Sequence, residues 1–201
     1  MKIIKTSLIE ETKEYVSEFL DTELSKELIY HSKKHTIDVF NNAEIIAKHS
    51  GLNEDDKNIL LISALFHDVG YISSYENHES ESAKYAGEYL NSKGIDESII
   101  RIVKESILAT RIPQSPKSKI AEILCDADLM NLTNDNYFEE IDLMRLEWAK
   151  IGKADLNKKE FNLQSIEFFN SHNYCTEYGK KILEPKKQRT LQKIKDKVAM
   201  N

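Results

Sequence analysis

An all-α, single-domain fold is predicted by three features of this 201-residue chain. Apolar residues return at intervals of three and four, no stretch alternates apolar with polar as a half-buried strand would, and only six glycines and three prolines interrupt the pattern. The length suffices for one sizeable hydrophobic core. No internal repeat, low-complexity tract or shift in composition marks a boundary, so residues 1–201 are expected to fold as one unit.

Helices are expected, in order, over residues 8–20, 24–31, 35–49, 54–68, 77–92, 96–109, 117–131, 136–151, 158–170 and 177–198. The first two open the chain with leucines at their starts. The third, "HTIDVFNNAEIIAKHSG", carries Val39, Ala43 and Ile46 down one side, which puts His35 at the inward end of that stripe. In the fourth, Ile59, Ile62 and Leu65 form the buried stripe, and the helix delivers His67 and Asp68 at its end, before Gly70. The fifth starts at the acidic first turn around His78, Glu79 and Glu81, and the sixth runs up to the prolines of "TRIPQSPKSK". The seventh, "KIAEILCDADLMNL", aligns Ala121, Leu124, Cys125, Asp128 and Leu132 on one stripe and Lys119, Glu122 and Asp126 on another. Asp128 is therefore expected to point inward, and Asp126 to be solvated or to stand behind the metal-facing groups. In the eighth, Phe138, Ile141 and Leu143 read as packing residues; Pro185 should kink or interrupt the last helix. Gly51, Gly94 and Gly152 are placed to cap three helices in a left-handed conformation, and His49 and His172 read as C-terminal capping residues.

The charge balance narrows the partners. With 28 basic against 34 acidic residues the formal net charge is −6, which argues against a general nucleic-acid backbone binder and towards small ligands. The basic amphipathic stretch "PKKQRTLQKIKDK" is too short to establish nucleic-acid or membrane binding in so acidic a chain. Cys125 and Cys175 stand far apart, the N-terminus lacks the pattern of a signal peptide, and no run approaches the roughly 18 apolar residues of a bilayer span. A cytoplasmic location is expected.

Chemistry concentrates where "LLISALFHDVGY" ends an apolar helix in two groups that are costly to desolvate. A carboxylate there also faces the unfavourable end of the helix dipole, which a bound cation would compensate. His35, His67, Asp68 and Asp128 together offer two imidazoles and two carboxylates, a mixed nitrogen and oxygen set suited to Mn²⁺, Fe²⁺, Zn²⁺, Ni²⁺ or Mg²⁺, with imidazole arguing against a magnesium-only site. His31 reads equally as a structural hydrogen-bonding group or a substrate contact. His78 and Arg111 are the candidates for phosphate, Arg111 because a guanidinium can make two parallel hydrogen bonds to its oxygens.

His35, the adjacent pair His67–Asp68 followed by Val69 and Gly70, and Asp128 in "CDADL" resemble the H…HD…D pattern of the HD-domain metal-dependent phosphohydrolases. The likeness runs from residue 29 to 132, leaving 133–201 as a helical extension expected to pack on the core. "YHSKKHT" and "ATRIPQSP" further resemble a bacterial subgroup of predicted HD phosphohydrolases. The resemblance implies hydrolysis of phosphoesters in small nucleotides with a divalent metal, Mn²⁺ favoured. Two-metal members carry two further histidines between the HD pair and the last aspartate, where this chain has His78 alone and Thr110 near the second place; one metal is therefore expected. Some nucleotidases of the family have glutamate where Tyr71 stands. The expected mechanism is attack by metal-activated water, with Asp68, His78 and Arg111 as catalytic residues and no protein nucleophile; the proton donor stays unassigned. A cyclic-nucleotide phosphodiesterase and a noncatalytic nucleotide-binding or sensory module are the alternatives. The expected partner is a small phosphorylated substrate, above all a nucleotide, with no stable nucleic-acid partner and no membrane, and with monomer and homodimer both open.

Overall fold

The computed structural model describes residues 3–200, which form helices joined by short turns, with no strand among the described residues. The helices are α1 (Thr6–Glu23), α2 (Lys33–Lys48), α3 (Glu54–Phe66), α4 (His78–Ser92), α5 (Glu97–Leu108), α6 (Lys119–Asp128), α7 (Tyr137–Lys150), α8 (Lys158–Ser171) and α9 (Glu184–Met200). None of them is long and apolar enough to cross a membrane.

The helix α3 is the axis of the main core because it is apolar all round: every residue from Asn58 to Phe66 is buried. The helices α1, α2, α4, α5 and α6 all pack against it. Asn53, Asp96 and Ser118 cap α3, α5 and α6 with side-chain oxygens that accept otherwise unpaired N–H groups, and Asn157 with Glu160 forms a reciprocal capping box at α8. Gly51, Gly94 and Gly152 take the positive φ expected of them, and His49 and His172 are the C-terminal caps of α2 and α8. A smaller core of Leu132, Tyr137, Phe169, Leu191 and Ile194 joins the last three helices to the turn after α6.

Two expectations are corrected. Residues 24–31 form turns rather than a helix, because the N–H groups of Tyr30 and His31 are taken by the distant Glu147 carboxylate instead of carbonyls four residues back. The expected helix at 177–198 is helical throughout, and a π-helical turn, Gly179–Leu183, directly ahead of Pro185 is the interruption expected there. Asp126 is neither solvated nor exposed. It is fully buried, and its carboxylate accepts from the N–H groups of Cys175 (2.7 Å) and Thr176 (2.9 Å) and from the Thr176 hydroxyl (2.6 Å). The core covers one stripe of α6, and the segment that follows α8 covers the Asp126 end of the other, whose Lys119 stays exposed. A Cβ at position 179 would strike the Asp126 carboxylate, so glycine there lets the two segments close.

Candidate metal centre

The four predicted ligands arrive from three places. His35 lies in the first turn of α2, His67 and Asp68 follow the end of α3, and Asp128 ends α6. The side-chain amide of Asn42 donates to the Ala127 carbonyl at 3.1 Å and ties α2 to α6 beside them. After Asp68 the chain turns tightly: Gly70 N–H donates to the Ser82 hydroxyl at 2.8 Å, and a Cβ at Gly70 would run into the His78 carbonyl. This close approach is what brings α4, and with it His78, against the HD pair.

The donor atoms face one another. His35 Nε2 and His67 Nε2 are 3.4 Å apart; Asp128 Oδ1 lies 3.3 Å and 3.6 Å from them, and Asp68 Oδ2 3.4 Å and 3.3 Å. Donor atoms of His35, His67 and Asp128 all fall within 4.8 Å of one another. Atoms that share an ion at ~2.0–2.2 Å stand roughly 3 to 3.5 Å from each other, so this spacing fits a common divalent ion. The tautomer fits as well: His67 Nδ1 donates to the Ala64 carbonyl at 2.8 Å, which aims the Nε2 lone pair at the cluster.

The electrostatics show what the cluster wants. Burial alone would raise the Asp128 carboxyl, but hydrogen bonds to His35 and His67 bring it down to about 2, and Asp68 is held below its ordinary range by the same imidazoles against the same burial. Burial works against a charged His67 ring, yet Asp68 and Asp128 outweigh it and hold the ring well above the usual histidine range. Two ionised carboxylates thus draw positive charge into the site.

The centre lies in the wall of a cavity of about 480 Å³. His31, Tyr71, Tyr75 and His78 line it, as do Met144, Trp148, Phe161 and Phe168 from α7 and α8. His78 stacks on Tyr71 with centroids 3.9 Å apart and donates from Nδ1 to the Tyr75 carbonyl at 2.9 Å. Its Nε2 stands 3.8 Å from Asp68 Oδ1 and 3.5 Å from Glu79 Oε1. Thr110 also faces the cavity, whereas Arg111 does not line it: its half-exposed guanidinium lies behind Glu79, donating to Glu79 Oε2 at 3.3 Å and to the Ser80 hydroxyl at 2.9 Å. Glu81 pairs with Lys84 at the surface.

The HD domain family matches this chain over residues 33–131, a span that contains all four donors. The chain belongs to the HD-domain family. An uncharacterized protein of Clostridium beijerinckii (strain ATCC 51743 / NCIMB 8052) is 30% identical over 112 residues, covering 54% of this chain and 69% of that one. HD domains are divalent-metal proteins and generally phosphohydrolases, in keeping with the all-helical fold and the His35, His67 and Asp128 triad. Sequence reasoning about this HD domain missed Glu147. Nothing in its spacing separates it from Glu139 and Glu140 on the same helix; only its partner His31, 116 residues upstream, does.

Proposed function

We propose that this HD domain hydrolyses a phosphoester of a small nucleotide or related phosphorylated metabolite, with manganese preferred over iron, nickel, zinc or magnesium. The observation that supports this most is the convergence of two imidazole nitrogens and two carboxylates, from three separate helix ends, at the wall of a cavity of about 480 Å³, a size suited to a nucleotide. An ion held by His35, His67, Asp68 and Asp128 would supply Lewis acidity, acidifying water and neutralising charge on a phosphate oxygen. Asp68 uses Oδ2 towards the imidazoles and leaves Oδ1 facing His78, so it can orient an attacking water. In its imidazolium form His78 would donate from Nε2 to phosphate. Arg111 reaches a phosphate only by releasing Glu79, which makes its first role the compensation of that buried carboxylate.

A cysteine nucleophile is disfavoured by the environment of both thiols. Burial pushes the Cys125 thiol up, with Asp128 adding to it, and Cys125 donates to the Ala109 carbonyl; burial and Asp126 push Cys175 up to about 11. Direct attack by water is the reading that follows. The test is phosphate release from a panel of nucleoside mono-, cyclic and oligophosphates with and without Mn²⁺. Metal-dependent release by the native chain, lost in D68A, is expected. Tight metal and nucleotide binding with no release from any member of the panel would overturn the hydrolase in favour of a binding module.

A further inference from the structure

The end of α7 sets a cation into the cavity wall. Gly152, just past the helix, takes φ +72°, and the N–H groups of Lys153 and Gly152 donate back to the carbonyls of Trp148 at 2.9 Å and Ala149 at 3.3 Å. This left-handed cap ties the Lys153 backbone to the last turn of α7. The side chain lies over two rings, with Nζ 4.5 Å from the Trp148 centroid and 4.7 Å from that of Tyr75. Phe161 packs T-shaped against Trp148 at 5.1 Å, so the surface beneath the ammonium is itself held in place.

The protein leaves this charge without a counterion. Among the described residues Lys153 Nζ has no ion pair and donates no hydrogen bond. Contact with ring faces satisfies part of the charge but none of its three N–H donors. Partial desolvation lowers the pKa of the group, with Glu147 and Glu76 opposing from beyond ion-pair distance. Asp68 and Asp128 are not among the charges that act on it, so the ammonium stands apart from the metal centre. Yet Lys153 lines the same cavity as His35, Asp68 and Asp128, and it remains accessible to solvent. Rings connect the two places: His78 Nε2, 3.8 Å from Asp68 Oδ1, belongs to a ring stacked on Tyr71 at 3.9 Å, and Tyr71 meets Tyr75 at 5.0 Å.

We infer that Lys153 binds a second phosphate on the alcohol part of the substrate, so that the substrate class is a phosphoester with a phosphate at each end, such as a nucleoside 3′,5′-bisphosphate. The inference rests on the hydrolase reading above. A stacked nucleobase would need a free ring face, and the ammonium covers one face of Tyr75 and one of Trp148. A phosphate supplies what the ammonium lacks, a negative charge and acceptor oxygens for its N–H groups. A second phosphate bonded directly to the first would stay beside the metal donors, whereas one carried across a sugar extends away from them towards Lys153.

The test measures phosphate release by the Mn²⁺-loaded full chain from adenosine 3′,5′-bisphosphate and from the 3′- and 5′-monophosphates. The native chain should favour the bisphosphate by about tenfold or more in kcat/KM, chiefly through KM. K153Q should lose that preference while handling the monophosphates as the native chain does, and K153R should keep most of it. Equal rates on mono- and bisphosphates in the native chain, or equal losses on all three in K153Q, would overturn the assignment of Lys153 and leave the hydrolase standing. If no ester is turned over, the hydrolase reading falls, and calorimetry of the bisphosphate on the same chains decides Lys153 by itself. Binding about tenfold weaker in K153Q than in the native chain would support the site, and equal Kd values would overturn it.

Discussion

Replacing Asp126 should destabilise the fold more than replacing any other carboxylate outside the metal site and the His31 pair. Its three donors, two of them backbone amides, lie in the interior, and the neighbouring Gly179 leaves no space for the side chain to shift. In D126A the Thr176 hydroxyl can turn elsewhere, but the amides of Cys175 and Thr176 cannot. An unsatisfied buried donor costs about 1–3 kcal/mol, so the two amides and the lost volume together predict about 3–5 kcal/mol. In D126N the volume is kept and one oxygen still accepts, while the new NH₂ group meets a donor, and about 2 kcal/mol is expected. Urea unfolding followed by circular dichroism in EDTA, so that metal binding does not enter, measures both. Because Asp126 and Asp128 share the last turns of α6, the surviving folded D126N should also bind Mn²⁺ more weakly than the native chain. Stability changes below about 0.5 kcal/mol in both variants would refute the idea that this carboxylate holds the 175–179 segment against α6.

Three further outcomes are expected. Mn²⁺ at about 100 times its Kd should stabilise the native chain by about 2.7 kcal/mol with one ion per chain, and H35A, H67A, D68A and D128A should lose most of that gain; a full thermal shift in D128A would remove Asp128 from the ligand set. His172, buried and beside the Lys187 ammonium, has its pKa lowered by that burial and charge to about 4. The unfolded ring takes its proton near pH 6.5, so stability is whole above that value and should fall by roughly 2–3 kcal/mol as pH drops towards 4; the difference between native and H172Q unfolding curves isolates this slope, and parallel curves contradict it. Trp148 is the sole tryptophan and lines the cavity, so its fluorescence should change on titration with a nucleoside monophosphate, and an unchanged spectrum at saturating ligand would place the substrate elsewhere.

The sequence by itself determined the helical class, most helix ends and which side chains meet in the candidate metal centre, because each depends on short-range pattern. Apolar spacing aims His35, His67 and Asp128 from helices that are buried along the same stripes, and capping glycines such as Gly51, Gly94 and Gly152 act within a turn of where they stand. Only the tertiary structure decided the rest. Asp126 looked exposed because its neighbours on α6 are charged, yet a segment about fifty residues later supplies its donors. Residues 24–31 have helical spacing, but a buried glutamate from α7 takes two of the N–H groups a helix would need. For the same reason the pairing of His31 with Glu147 is invisible in either local stretch. A buried charge is tolerated only where distant donors converge on it, and that convergence is a property of the packed chain and not of any stretch within it.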